Sequence, residues 1–259
     1  MIDGEATSTT DAIAVESPLT VILDGEVLVT TMRTPGHDLE LVAGWLVNES
    51  GVRQPDDIVS MGAFATHDDD TVDTVRVSLA TGIRAPRPRA FVTSSACGVC
   101  SADVLAAFEG PDGPLMTDGW TLPVSAIPGL FDAMRDGQRM FEQTGALHAA
   151  ALIAPDLTPL WVREDVGRHN AVDKVIGKGL FDNRVPLADH TLVVSGRISY
   201  EIVHKALTAG IAAIVAVSGP TSLAIDLARA HGLVLAGFAR GERVNIYSGA
   251  ERITTEGPR

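Results

Sequence analysis

Short apolar runs separated by polar turns dominate the first third of the chain. Asp24-Gly25 separates two of these runs and is a dipeptide typical of tight β-hairpins. Residues 39–50 carry apolar positions at helical spacing, with Asp38 as the expected N-cap and an end near Gly51. Four runs show the composition and alternation of strands: residues 19–23, 26–32, 58–65 and 72–80. Together they predict a small α+β unit.

From residue 125 onward, apolar strands alternate with short helices. The pattern predicts helices at residues 125–145 (with Ser125 as N-cap), 169–180, 199–210 and 222–232. It predicts strands at residues 147–153, 160–164, 191–195, 211–218 and 233–239. Strands this apolar are buried on both faces, so helices must cover both sides of the sheet. We therefore expect an α/β fold with a mixed, three-layer α/β/α sheet.

These patterns divide the chain into three parts. Residues 1–15 lack periodicity and are expected to form a flexible tail. Residues 16–92 hold the smaller N-terminal α+β subdomain, which ends in a linker rich in proline and arginine at residues 84–90. Residues 93–259 hold a cysteine loop followed by the α/β/α domain.

Composition narrows the classes of function. The 259 residues are 46% hydrophobic, which is ample for a large core, and the formal net charge is −13. Such an acidic chain is unsuited to general binding of nucleic acid or an anionic membrane surface. No apolar run approaches the ~18 residues that a membrane span needs, and the acidic start does not resemble a signal peptide. We therefore expect a cytoplasmic protein with no nucleic-acid or membrane partner.

The pattern V-S-G-x-x-S occurs at residues 194–199 and again at residues 217–222, each time between a strand and a helix. Phosphate groups commonly bind at helix N-termini and beyond the carboxyl ends of parallel strands. Four arginines follow strands and would add positive charge there: Arg168, Arg197, Arg240 and Arg243. The small residues expected beside them are Ser195, Gly196, Ser218 and Gly219. This set predicts an anion site at one sheet edge.

Two histidines receive no catalytic role from the pattern. His148 lies in an apolar strand, which is typical of a core histidine with satisfied hydrogen bonds. His169 and Asp173 are four residues apart on one helical face, which predicts a simple surface pair.

The only two cysteines, Cys97 and Cys100, form a C-x-x-C motif. A zinc site needs three or four protein ligands, and C-x-x-C supplies two. The nearest analogue of the H-x-E element of zinc deaminases is His148-Ala149-Ala150, which lacks the glutamate and follows the cysteines, so no metal site and no catalytic zinc are expected. A helix starting at Ser101 would favour a thiolate near its N-terminus. The favoured use is a sulfur carrier or nucleophile. A thiol–disulfide oxidoreductase and a cofactor- or nucleotide-binding chaperone remain as alternatives.

Several segments in the right order resemble the formate dehydrogenase accessory sulfurtransferase family. They are TPGHDLELVAGWLVNESG, TSSACGVC, GALHAAAL, REDVGRHNAVDKVIG, VSGRISYEIVHKAL and FARGERVNIYSGAERI. The resemblance covers nearly the whole chain from about residue 17. It implies a fold like that of cytidine deaminases, without their zinc site.

The resemblance also implies a function. A family member accepts sulfur from a cysteine desulfurase and delivers it to the molybdenum–bis(molybdopterin guanine dinucleotide) cofactor before insertion into formate dehydrogenase. Cys97 matches the persulfide cysteine and Cys100 its partner. The segment that matches the family's cofactor-binding region comprises Phe238, Ala239, Arg240, Gly241, Glu242 and Arg243. We therefore expect the cofactor as bound substrate, GDP as a fragment ligand, and a homodimer.

Overall fold

The computed structural model describes residues 8–66, 71–88, 92–93, 110–241 and 243–255. Cys97, Cys100 and the helix expected after Ser101 lie outside these residues, as does Glu242. The first seven residues of the predicted tail also lie outside them.

A five-stranded sheet forms the first part of the fold. Its strands are β1 (Ser17–Leu23), β2 (Glu26–Arg33), β3 (Ile58–Phe64), β4 (Thr74–Leu79) and β5 (Val92–Thr93), in the order β3-β4-β1-β2-β5. Strands β1 and β2 form a hairpin that turns at Asp24 and Gly25, whose φ angles are 49° and 95°. Positive φ at both central residues is what a type I′ hairpin turn requires. The predicted hairpin is therefore confirmed.

Helix α1 (Asp38–Ser50) follows the hairpin. It ends at Gly51, whose φ of 72° is the left-handed conformation that glycine adopts readily after a helix. The N-cap is His37 rather than Asp38. Asp38 instead accepts a 2.7 Å hydrogen bond from the buried Nε of Arg33, which fastens the start of the helix to the end of β2.

A six-stranded sheet forms the second part. The remaining strands are β6 (Leu122–Pro123), β7 (His148–Ile153), β8 (Pro159–Asp165), β9 (Thr191–Val194), β10 (Ala213–Ala216), β11 (Val234–Arg240), β12 (Arg243–Ser248) and β13 (Ile253–Thr254). The larger sheet has the order β12-β11-β10-β9-β7-β8, and β6 pairs separately with β13. Strands β9, β10 and β11 are parallel, whereas β7, β8 and β12 run antiparallel to their neighbours. The mixed sheet is therefore confirmed.

Helices cover both faces of this sheet. They are α2 (Ile127–Asp136), α3 (Arg139–Thr144), α4 (Arg168–Phe181), α5 (Tyr200–Thr208) and α6 (Ser222–Ala230). One apolar core runs from Val21 of β1 through Leu46 of α1 to Leu192 of β9, and it includes the inner faces of α4, α5 and α6. On the opposite face of the sheet, Ile127 and Met134 of α2 belong to a second core. The predicted α/β class and its three layers are thus confirmed. Among the described helices, none is both long and apolar enough to cross a membrane.

Two glycines let α1 and α4 cross at backbone contact. A Cβ on Gly44 would lie 1.9 Å from the carbonyl oxygen of Asp173, and a Cβ on Gly177 would lie 1.8 Å from that of Glu40. Any larger residue at either position would collide with backbone. The crossing holds the end of β2 close to the start of α4, where the candidate site begins.

Two predictions about residues 125–145 were wrong. Residues 125–145 form two helices because the chain leaves the helical conformation near Gly137, which packs so closely on Val162 that a Cβ would lie 2.5 Å from its side chain. Ser125 lies in a short 3-10 turn before α2 and does not cap it. The pattern also missed β12, an edge strand whose mixture of exposed and half-buried residues lacks the apolar run of a central strand.

Candidate functional site

The ends of five strands meet at one edge of the six-stranded sheet, which we call the carboxyl edge. The parallel strands β9, β10 and β11 all end there. Because β7 is antiparallel to β9, it begins at this edge with His148. Strand β8 ends there with Asp165, the residue directly opposite His148 in the register. The topology therefore gathers residues distant in sequence into one row.

The two V-S-G-x-x-S turns lie side by side on this edge. The amide of Ile198 in the first turn donates to the carbonyl of Gly219 in the second at 3.2 Å, and the amide of Thr221 donates back to the carbonyl of Ile198 at 3.0 Å. The first turn is also tied to β7: Ser195 Oγ accepts a 2.9 Å hydrogen bond from the amide of Ala149. The Ser195 hydroxyl thus has a structural role in holding the turn.

Phe238 lies against the second turn. Its amide donates to the carbonyl of Ser218 at 3.2 Å, and its ring occupies the space where a Cβ on Gly219 would be, 2.5 Å from the nearest ring carbon. Phe238 has a φ of 53°, an uncommon conformation for a bulky residue, and the side chain is 50% exposed. The backbone therefore holds an aromatic ring partly in solvent at the carboxyl edge.

The hairpin between β11 and β12 carries two arginines of the predicted cofactor segment. Arg240 and Arg243 are directly opposite each other in the register, both are exposed, and Gly241 between them has a φ of 56°. Neither guanidinium forms an ion pair with a described carboxylate. Ala239 is buried, so within the described part of this segment it packs rather than faces solvent.

Arg168 and Arg197 form a second positive group next to the first turn, and the imidazole of His148 lies beside it. Gly196 separates them: a Cβ built on it would lie 3.3 Å from His148 Nδ1 and 3.6 Å from Arg168 Cβ. Burial lowers the pKa of Arg168, and the charge of Arg197 lowers it further, against the opposing effect of Glu201. The charge of Arg197 therefore disfavours the charged form of Arg168.

His148 is not the core histidine that the strand pattern predicted. Its side chain is only half-buried, because β7 begins at the carboxyl edge instead of crossing the core at this residue. Burial lowers the pKa of His148 below its usual 6.5, the charges of Arg168 and Arg197 also lower it, and Asp165 opposes them. The imidazole is therefore neutral at pH 7.

The predicted surface pair of His169 and Asp173 is also wrong, because both side chains are buried. Asp173 accepts hydrogen bonds from Lys205 Nζ at 2.7 and 2.9 Å, and so joins α4 to α5. His169 Nε2 lies 3.2 Å from Ser199 Oγ and 3.9 Å from Glu201 Oε2. Helix α4 is enclosed by the sheet, α1 and α5, so it has no polar outer face at this point.

A buried polar network, which sequence reasoning missed, supports the start of α4. Asp165 accepts hydrogen bonds from the amide of Gly167 at 2.8 Å and from Asn170 Nδ2 at 3.0 Å, and its other oxygen lies 2.8 Å from Lys174 Nζ. The amide of Thr34, just after β2, also donates to Asp165 at 3.2 Å. The sequence did contain a signal for this network, because charged and amide residues cluster on a helix that is otherwise rich in small apolar residues. The network fixes the backbone that carries Arg168.

The structure therefore brings most predicted binding residues to one edge, in two groups. The first group comprises Gly196, Arg197 and Arg168 with His148; the second comprises Ser218, Gly219, Phe238, Arg240, Gly241 and Arg243. Cys97, Cys100 and Glu242 lie outside the described residues. Within the described part of the chain, no three histidine, cysteine, aspartate or glutamate residues are arranged to hold a metal ion.

Comparisons with known proteins agree on one family. The model of the FdhD/NarQ family matches residues 14–254. A protein from Nocardia farcinica named sulfur carrier protein FdhD is 47% identical, over 94% of this chain and 88% of its own length. A protein of the same name from Streptomyces coelicolor is 43% identical, over 97% of this chain and 92% of its own length. Another from Mycobacterium tuberculosis is 42% identical, over 94% of this chain and 92% of its own length.

A solved structure shows the same fold. The crystal structure of a protein described as a formate dehydrogenase accessory protein, from Desulfotalea psychrophila, superposes with a TM-score of 0.73. The match covers 94% of this chain and 91% of that protein at 24% sequence identity. Since the family model spans most of the sequence and the relatives match along nearly their whole length, the chain belongs to the FdhD/NarQ family.

Proposed function

We propose that this protein is a sulfur carrier that acts in the maturation of formate dehydrogenase. The observation that carries the proposal is the 47% identity, over 94% of the chain, to a protein named sulfur carrier protein FdhD. The name of the structural neighbour, a formate dehydrogenase accessory protein, points to the same pathway. Only Cys97 and Cys100 have thiols, so thiol-based sulfur chemistry has one location in the sequence.

Cys97 accepts the sulfur. Its thiolate attacks the terminal sulfur of a persulfide on a cysteine desulfurase, which forms a bond from Cys97 Sγ to that sulfur and releases the desulfurase thiolate. Cys100 then attacks Cys97 Sγ. The bond to the terminal sulfur breaks, sulfide leaves with the electron pair, and a Cys97–Cys100 disulfide remains. A cellular dithiol returns this disulfide to two thiols, so the electrons balance.

The molybdenum–bis(molybdopterin guanine dinucleotide) cofactor is the acceptor and binds as substrate at the carboxyl edge. Three features support this location: two helix-opening turns, the arginines Arg168, Arg197, Arg240 and Arg243, and the exposed ring of Phe238. Phosphate groups bind well to arginine forks and to helix N-termini. A local basic edge suits an anionic ligand even though the whole chain has a net charge of −13.

The partners that follow are a cysteine desulfurase as donor and formate dehydrogenase as the enzyme that receives the sulfurated cofactor. The protein acts as a homodimer. Sedimentation at several protein concentrations tests the last point, because a dimer of about twice 27.2 kDa should persist at micromolar concentration.

Labelled sulfur tests the carrier function. The protein is incubated with a desulfurase and ³⁵S-cysteine, and the label is located by peptide mass spectrometry in wild type, Cys97→Ala and Cys100→Ala. We expect label on Cys97 in wild type and in Cys100→Ala, and none in Cys97→Ala. If the Cys97→Ala variant takes up a normal amount of labelled sulfur at Cys100, the roles assigned to the two cysteines are reversed.

The alternatives predict different outcomes. A chaperone that only holds the cofactor would take up no label and would support formate dehydrogenase activity without either cysteine. A thiol–disulfide oxidoreductase would reduce the disulfides of insulin. Full dehydrogenase activity with the double variant Cys97→Ala/Cys100→Ala would refute the carrier mechanism.

A further inference from the structure

Positive charge accumulates where the first turn, β7 and α4 meet. The charge of Arg197 disfavours the charge of Arg168, and Arg168 and His148 both lie against the same glycine, Gly196. Glu201 offsets one of these charges in part. Asp165, the other carboxylate nearby, is already neutralised by Lys174. Carboxylates therefore balance the positive charge of the two arginines only in part.

Two helices also point their positive ends at this place. Helix α4 starts at Arg168 and helix α5 at Tyr200, with Gly167 and Ser199 as N-caps, and neither cap residue binds the first amides of its helix through a side chain. The N-termini of helices favour negative charge. The first turn of α4 contains no acidic residue, whereas that of α5 contains Glu201. The start of α4 and the two arginines therefore favour an additional anion here.

An unsatisfied donor gives an independent indication. Arg168 Nε is buried from solvent and has no hydrogen-bond partner among the described residues. Buried donors are nearly always paired, and one left unpaired destabilises the protein. A ligand oxygen at this position would satisfy it.

We propose that His148, Arg168 and Arg197 form a second phosphate-binding subsite, and that His148 takes up a proton when a phosphate group binds. The ligand class rests on the proposed function. The subsite lies at β7 and β9, whereas Arg243 lies opposite Arg240, the last residue of β11, which is two to three strands away. Strand spacing makes this roughly 10–14 Å. One ligand with two phosphate-bearing arms can therefore contact both groups.

The proton uptake follows from the charges around the imidazole. The groups that face His148 are Arg168 of α4, Arg197 of the first turn and Asp165 of β8. In the free protein, burial and the two arginines lower the pKa of the imidazole, and Asp165 opposes them. A bound dianion reverses the local balance and raises the pKa of His148. Affinity is therefore highest at low pH and falls as pH rises through the His148 pKa of the complex, by about tenfold per pH unit at most.

The experiment follows the imidazole signals of the full-length protein by NMR from pH 5 to 8. Sulfate serves as a dianion that does not titrate in this range, and chloride at equal ionic strength serves as the reference. We expect sulfate to raise the pKa of His148 by about one unit or more and to leave His190, at the opposite edge of the sheet, unchanged. GDP in a second series tests whether a nucleotide phosphate has the same effect as the free anion.

Matched variants assign the effect. His148→Gln should remove the pH dependence of sulfate binding, and Arg168→Gln or Arg197→Gln should weaken sulfate binding at least fivefold. Two variants serve as controls and should match wild type: Arg184→Gln, which removes an exposed arginine, and His190→Gln, which removes a half-buried histidine at the opposite edge of the sheet. An unchanged His148 pKa in saturating sulfate, or equal affinities in all variants, would overturn the subsite.

This outcome is separable from that of the proposed function. Sulfur loading on Cys97 with no effect of sulfate or GDP on His148 would remove the subsite and leave the carrier intact. A sulfate effect in a protein that takes up no sulfur would keep the subsite and remove the carrier. A response to sulfate without any response to GDP would make the site one for small free anions and overturn its role for the cofactor.

Discussion

The ammonium of Lys174 lies 2.8 Å from a carboxylate oxygen of Asp165, and neither side chain has exposed surface. The same ammonium donates to the carbonyls of Thr34 at 2.9 Å and Glu164 at 3.1 Å. This buried charge pair thus connects the residue after β2, the end of β8 and the middle of α4. The geometry of the carboxyl edge depends on a residue that does not itself reach that edge.

Removing this ammonium should destabilise the protein strongly. Lys174→Met leaves the Asp165 carboxylate buried without its counter-charge, and we expect a loss of about 3–5 kcal/mol in the free energy of unfolding. Urea unfolding followed by circular dichroism measures it. Lys178→Met is the matched control: Lys178 is one turn further along α4 and pairs with Asp182 at the surface. Its loss should stay below about 1 kcal/mol. Equal losses for the two variants would show that burial of the pair is not what matters.

The backbone contact between α1 and α4 should make stability sensitive to a methyl group added at the crossing. Gly177→Ala places a methyl group where the carbonyl oxygen of Glu40 lies, so the helices must separate, at a cost of about 2 kcal/mol or more. Gly129→Ala in α2 is the control, since a Cβ there meets nothing within 4 Å. Higher helix propensity should make it neutral or stabilising by up to about 1 kcal/mol. Thermal unfolding of both variants compares them, and a Gly177→Ala protein as stable as wild type would contradict the contact.

The buried carboxyl group of Asp173 should make the free energy of unfolding depend on pH. Burial raises its pKa from 3.8 to about 6, against the opposing effect of Lys205. Because the folded state holds the proton more tightly than the unfolded chain, the contribution of Asp173 to stability is complete below pH 3.8 and is lost as pH rises through about 6. The difference in free energy of unfolding between wild type and Asp173→Asn should therefore change by up to about 3 kcal/mol between pH 4 and pH 7, in the direction that disfavours wild type at high pH. A difference independent of pH would mean that Asp173 titrates alike in both states.

Guanine nucleotides should bind at the β11–β12 hairpin. We expect Arg243→Ala to weaken GDP binding about tenfold, because a charge-assisted contact to phosphate is lost. Isothermal titration calorimetry measures the affinity. Arg135→Ala, which removes an equally exposed arginine from α2 on a different layer, should leave it unchanged. Equal affinity of Arg243→Ala and wild type would exclude Arg243 from the site.

Local patterns predicted the elements well where propensity and burial agree. The Asp24-Gly25 hairpin, the parallel strands β9, β10 and β11, and the helices between them all follow from alternation and turn residues. The split at Gly137 was not predictable in the same way. It depends on Val162, a residue of β8 that meets Gly137 only after folding.

The candidate site likewise contains some residues whose positions the sequence could predict and others whose positions it could not. The turns and arginines were predictable because strand ends and helix starts mark their positions in the sequence. The location of His148 was not, because a histidine in an apolar strand looks the same in sequence whether its strand begins in the core or at an edge. Only the antiparallel pairing of β7 with β9 decides this. The burial of Asp173 likewise depends on α1, more than a hundred residues earlier.

The bridge between the two Ser-Gly turns has a consequence for motion. The amides of Ile198 and Thr221 each bond to the other turn, so neither turn can open locally without breaking hydrogen bonds that also hold its neighbour. The two turns therefore form one cooperative unit of local unfolding. Their amide hydrogens should exchange with solvent at a common rate, and a ligand that orders either turn should slow exchange in both.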